Sequence, residues 1–249
     1  MPAPNRSSRP FLILPLVVSG LCAILALQMA WSDRRYLLPF LLIVALVMLP
    51  PFLARRRMRR LLISGDVKRV LGTWESSIER VMYPETMAPL MAATAYAAYG
   101  WVDAARRALS RAVKGPAWEA ALEQRLFVEA LLDTFEGDRS LALAKAEALE
   151  KMPLPSAGWL ARRKVQLLRA GISALARAFA HKSRLDDAKV LRAAASASPL
   201  IYWAMRYAAA VIAIDQGRRE DVPRLLAEAP AWPEQSAFRA FHDELVAHA

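Results

Sequence analysis

The sequence has one cysteine, three histidines and nine glycines in 249 residues. One cysteine excludes a disulfide-stapled fold. The lone thiol, Cys22, follows Leu21, so the small residue that precedes a lipidated cysteine is missing. The histidines, His181, His242 and His248, are spread along the chain and define no zinc spacing. His242-Asp243 is the only adjacent pair of metal-ligand type involving a histidine, and it lacks helical partners. Glycines beyond residue 60 are isolated, so there is no phosphate-cradling loop and no dinucleotide fingerprint. G-x-S-x-G and H-E-x-x-H are also absent. No catalytic residue, metal site or cofactor is expected, and the chain reads as a non-enzyme.

Acidic residues are nearly missing from the first 60 positions. That stretch holds nine arginines and one acid, Asp33, whereas the remainder is close to balanced within a formal net charge of +11. A nucleic-acid-binding domain carries its excess on one folded face. Here the arginines flank apolar runs, so nucleic acid is not an expected partner.

What is abundant is apolar residue, 56% of the chain. Phe11–Trp31 and Tyr36–Leu53 carry no charge. About 20 helical residues cross a hydrocarbon core of about 30 Å. The expected organisation is a tail over 1–10, a transmembrane helical hairpin over 11–53 (11–31 and 36–53), a basic stalk over 54–64 and a helical-repeat domain over 65–249. A cleaved signal peptide is disfavoured by the length of the first run and by the second that follows it. Pro50-Pro51 is expected to kink or end the second span. Counting arginines on each side places both termini and the large C-terminal part in the cytoplasm. Arg55, Arg56, Arg57, Arg59 and Arg60 are the candidate contacts to lipid head groups. The alanine- and arginine-rich, lysine-poor composition suits a GC-rich bacterial genome, which makes the expected membrane the bacterial inner one.

From residue 61 onward the periodicity is helical throughout, which predicts an all-α fold. Helices are expected at 66–82, 86–99, 101–114, 117–136, 138–151, 157–181, 184–197, 199–216, 218–228 and 233–247. Small turn residues recur at Gly65, Gly100, Gly137, Ser183 and Gly217. Seven residues before the last four stand Ala93, Ala130, Ala176 and Ala210, and five after them stand Ala105, Ala142, Ala188 and Val222. Small side chains at a fixed register let paired helices cross closely. Prolines close the units at Pro116, Pro153, Pro199 and Pro230.

Met87–Pro116, with Ala92-Ala93, Tyr96, Gly100, Ala105, Leu109, Ala112 and Pro116, resembles the tetratricopeptide repeat. Residues 169–199 follow with Leu175-Ala176, Phe179, Ala188, Ala195 and Pro199. Asp133 and Ala213 stand where the pattern has an aromatic. A related helical-hairpin solenoid would give the same register. The resemblance implies an α-solenoid whose first helices line a peptide groove. That lining would include Leu90, Thr94 and Ala97; Phe127, Leu131 and Thr134; Arg177 and His181; Tyr207, Val211 and Asp215. Arg177 and His181 are the candidates for gripping a carboxylate. Glu119, Glu123, Glu129, Asp133, Glu136 and Asp138 read as a solvated face balanced by Arg125 and Arg139. The last helix, with Arg239, His242, Asp243, Glu244 and His248, reads as a polar cap.

The functional expectation is a membrane-anchored cytoplasmic helical-repeat adaptor or scaffold that binds another protein. The alternatives are a structural subunit or assembly factor of a membrane complex and, less favoured, a membrane enzyme with a site of unfamiliar pattern.

Overall fold

A computed structural model describes residue 28, residues 37–78 and residues 80–248. Among the described residues the fold is all-α, with no strand. The chain divides into two compact units, Met1–Met58 and Arg59–Ala249. The boundary therefore falls inside the helix Leu37–Ile63, ahead of the expected 65.

In the first unit, helix α1 (Leu37–Ile63) begins, and it runs on through Pro50 and Pro51 instead of ending there. Two missing N–H donors remove only two bonds of the ladder. Among the described residues, no helix is long and apolar enough to cross a membrane. That finding corrects the expected integral membrane localisation. The described stretch of α1 from Leu49 onward carries the proline pair and then the exposed Arg55, Arg56, Arg57, Arg59 and Arg60, which makes it too polar for hydrocarbon. The first expected span, 11–31, lies outside the described residues apart from Gln28.

The second unit takes the end of α1 and continues through α2 (Val67–Ile78), α3 (Pro84–Ala98), α4 (Val102–Ser110), α5 (Pro116–Ala120) and α6 (Leu122–Glu136). Then come α7 (Arg139–Lys151), α8 (Trp159–Phe179), α9 (Asp187–Ala197), a 3₁₀ turn at Pro199–Ile201, α10 (Tyr202–Asp215), α11 (Asp221–Leu226) and α12 (Ala237–Ala247). Gly65 ends α1 as expected, with φ 78°. Proline opens α3 and α5 at N1, where its missing donor costs nothing. Asp138 caps α7 by accepting from the Leu141 N–H at 3.2 Å.

Four hairpins follow one plan: α3/α4, α6/α7, α8/α9 and α10/α11. The first helices pack in series, α3 on α6, α6 on α8 and α8 on α10. Each second helix also touches the next first helix. All four first helices end in the same hydrogen-bonded closure. Gly100, Gly137, His181 and Gly217 adopt positive φ, and each N–H donates to the carbonyl three residues back. The next N–H donates five residues back: Trp101 to Tyr96, Asp138 to Asp133, Lys182 to Arg177 and Arg218 to Ala213. This double bond satisfies orphan carbonyls at the helix end.

The third closure is centred on His181, not on Ser183 as expected. Measured from the closure residues, the alanine seven back is Ala93, Ala130, Ala174 and Ala210, and all four are buried. Gly171 brings α8 closer still. A Cβ there would lie 2.6 Å from the Ala194 Cβ of α9.

The C-terminal helix exposes Arg239, Asp243, Glu244 and His248 on its outer face, as expected of a polar cap, but its inner face belongs to the core. Phe238 is fully buried and Leu245 nearly so. Phe238 stacks on Tyr207 (4.9 Å between centroids) and meets Phe135 and Trp232 edge-on (5.2 and 5.0 Å). Phe238, Phe241 and Leu245 stand at i, i+3 and i+7, one stripe among polar residues. Leading into α12, the Ser236 hydroxyl donates to the Tyr99 carbonyl (2.7 Å) and the Ala237 N–H to the Gly100 carbonyl (2.8 Å). Gly100 is thus required twice: by its φ, and because a Cβ would press on Ser236 and Phe238 at 3.1–3.2 Å. At the other edge, Tyr99 Oη donates to the Leu62 carbonyl and Trp203 Nε1 to the Ile63 carbonyl, which holds the last turn of α1 in this unit.

Candidate functional site

Among the described residues, the two roomiest of the cavities along the row α3, α6, α8 and α10 lie at opposite ends of its helices. The first, about 660 Å³, lies toward the N-terminal parts. Its apolar wall includes Met87, Phe127, Leu168 and Leu200. Met82 and Tyr83 form an exposed lip, 76% and 64% accessible. The lip has a fixed shape: Tyr83 sits at φ 57° and its carbonyl accepts the Thr86 and Met87 N–H groups.

The polar groups of this cavity are tied down. Gln124 Nε2 donates to Thr94 Oγ1 (3.3 Å), and the Thr94 hydroxyl donates to the Leu90 carbonyl (2.7 Å). Arg169 is only 3% exposed, yet its donors are used. Nε donates to Glu123 (3.0 Å), Nη2 to the Pro153 carbonyl (3.1 Å) and Nη1 to the Met152 carbonyl. A planar fork with five donors suits such a junction, where a lysine would leave carbonyls unmet. Arg169 was missed in the sequence because α8 carries many arginines. The available signal was its register with Ile172, Ser173 and Ala176, all buried.

The second cavity, about 440 Å³, lies at the C-terminal ends of α6, α8 and α10, beside α12. Phe135, Phe179 and Phe241 pack there with centroids 5.1–6.0 Å apart. His181 Nδ1 lies 2.9 Å from one oxygen of Asp215 and 3.1 Å from the other.

The expected groove residues are therefore divided. Thr94 and Phe127 line the first cavity; Thr134, His181, Val211 and Asp215 line the second. Leu90, Ala97, Leu131 and Tyr207 are fully buried and line neither cavity. This corrects their placement on an open groove, because α12 and neighbouring helices cover that stretch of the row. Arg177 and His181 do not act together. Arg177 Nε donates to Asp187 Oδ2 (2.9 Å) and Nη2 to Oδ1, while His181 turns to Asp215. Asp187 also accepts the Arg184 N–H (2.8 Å), so the fork locks the third turn. Burial alone would raise the Asp187 carboxyl, but Arg177 and the Arg184 N–H hold it below its usual range.

The acids of α6 are not a plain solvated face. Asp133 is buried between Arg106 Nη2 and Lys145 Nζ, each 2.7 Å away. Glu136 joins on the Arg106 side and Glu129 on the Lys145 side. Desolvation pulls Lys145 down, but its bonds to Asp133 and Glu129 outweigh that and raise it. The ion cluster takes the place of the expected aromatic and ties α4, α6 and α7 together. Arg125 lies over the Trp118 ring at 4.3 Å and is 3.7 Å from Glu119. Tyr207 Oη accepts from Trp232 Nε1 (2.6 Å) and lies 3.2 Å from His242 Nδ1. Burial raises the Tyr207 phenol above its usual range. Asp243 pairs with Arg239, not with His242. Among the described residues no group of three or more His, Cys, Asp or Glu side chains is arranged to hold a metal ion.

No family model, curated protein or solved structure matches the chain.

Proposed function

We propose that Arg59–Ala249 is a protein-interaction module of tetratricopeptide-like hairpins, and that its partner presents an apolar segment to the first cavity. One observation carries the reading: three successive hairpins contribute to a single apolar cavity of about 660 Å³ whose polar floor is already satisfied. Such a site gains by excluding water over apolar surface and loses no hydrogen bonds when filled. Met82 and Met87 suit an adaptable contact surface. The four identical helix closures and the buried alanines at one register support the repeat reading.

The test is photocrosslinking in cells from a benzophenone amino acid placed at Met82. Capture of one protein in stoichiometric amount, lost on Leu200→Glu, is the expected result. Met82→Glu should also abolish co-purification while changing stability by less than about 0.5 kcal/mol, because the side chain is exposed. Undiminished capture in Leu200→Glu together with undiminished co-purification in Met82→Glu would overturn the reading.

A further inference from the structure

The second cavity has a different chemistry from the first. Its wall is aromatic: Phe179 and Phe241 are partly exposed, with Phe135 behind them. Its rim is charged. Asp215 and Glu244 bring carboxylates, and Glu136 adds a third that is already held by Arg106. Among the described residues that line it, Arg139 brings a guanidinium and His181 and His248 bring imidazoles. Among the described residues, Arg106 holds Glu136 and the His181 ring holds Asp215, while Glu244 stands exposed on the rim.

We infer that this cavity binds an organic ammonium group. Aromatic faces carry negative quadrupoles that attract a weakly hydrated cation, and nearby carboxylates supply the long-range field. An inorganic ion would find no ligand cluster here. A neutral apolar guest would gain from the rings but make no use of the carboxylates. A volume of about 440 Å³ admits a quaternary ammonium head with its short chain. His181 also acquires a reason for its backbone. The other three closures use glycine, whereas a histidine at φ 54° holds a left-handed backbone that L side chains rarely adopt. Its ring holds both oxygens of Asp215 at the cavity rim. The inference does not depend on the first cavity having a partner.

Calorimetric titration of the full chain separates the possibilities. The probes are choline, its uncharged isostere 3,3-dimethylbutan-1-ol, and a short peptide carrying trimethyl-lysine. Choline or the peptide should bind at least about fivefold more tightly than the alcohol. A choline-only result assigns a small-molecule source for the ammonium group, and a peptide-only result a side-chain source. Asp215→Asn and Glu244→Gln should each weaken binding about threefold or more. Glu244 is exposed on α12, so its variant keeps the test meaningful if Asp215→Asn alters folding. Equal binding of choline and the alcohol would overturn the inference, as would no binding of either cationic probe to the folded chain. Unchanged affinity in Glu244→Gln together with a folded Asp215→Asn would do the same.

Discussion

The two ends of the row α3, α6, α8 and α10 are made from the same four helices but are finished differently. Toward the N-terminal parts the row leaves an apolar cavity with an exposed methionine–tyrosine lip. Toward the C-terminal ends the chain's own α12 lies over it, and Phe238 becomes core. A stripe of apolar side chains on a stacked row must be covered by something. At one end the cover is supplied in cis. At the other, the apolar wall and its exposed lip stay open among the described residues, which is why that end carries the functional proposal.

The largest expected effect tests whether the covered end is core or a removable strap. Phe238→Ala should cost about 3–5 kcal/mol in urea unfolding, the range for emptying a buried aromatic site. A loss under about 1 kcal/mol would mean that α12 sits on the row without stabilising it, and the contrast between the ends would fade. Gly171→Ala probes the middle of the row. Its Cβ would press on Ala194, at a cost of about 1–3 kcal/mol that Ala194→Gly should partly restore. If the single variant were neutral, α8 and α9 would have slack that their packing does not suggest.

The smallest effect concerns the third turn, where the Arg177–Asp187 fork sits away from both cavities. Asp187 has a folded-state pKa held below its unfolded value, by Arg177 and the Arg184 N–H acting against burial. Such a group adds stability above the unfolded pKa of about 3.9, and that stability is lost as pH falls through the folded value. Asp187→Asn should therefore flatten the acid side of the stability profile, read as urea midpoints between pH 7 and pH 3. An unchanged slope below pH 4 would remove the fork from the account of acid stability.

Much of the architecture was legible because it is written locally. Glycine marks three of the four first-helix closures, proline opens two of the hairpin-region helices, and alanine recurs at the register where helices cross. His181 escaped this reading because a histidine at positive φ looks like any other residue, and Ser183 two positions on offered a more familiar turn. Asp133 and Glu123 were legible as acids of α6, but not as a buried carboxylate and as the partner of Arg169. Charge signs along a helix do not say which acid finds two cations in space. The membrane anchor expected from the apolar run did not hold: among the described residues no helix is long and apolar enough to cross a membrane, and the helix that carries the run continues through the proline pair into five arginines.

By itself, the sequence determined the all-α character of the described residues, the approximate ends of their helices and the hairpin order, because caps, turn residues and 3.6-residue periodicity act over a few positions. Tertiary structure alone decided that α12 covers one end of the row and that Arg169 and Asp133 are buried. It also decided that the expected groove divides into two cavities of unlike chemistry. Each of these depends on partners 12 to more than 100 positions away, and the free energy of pairing or burial exists only once those partners meet.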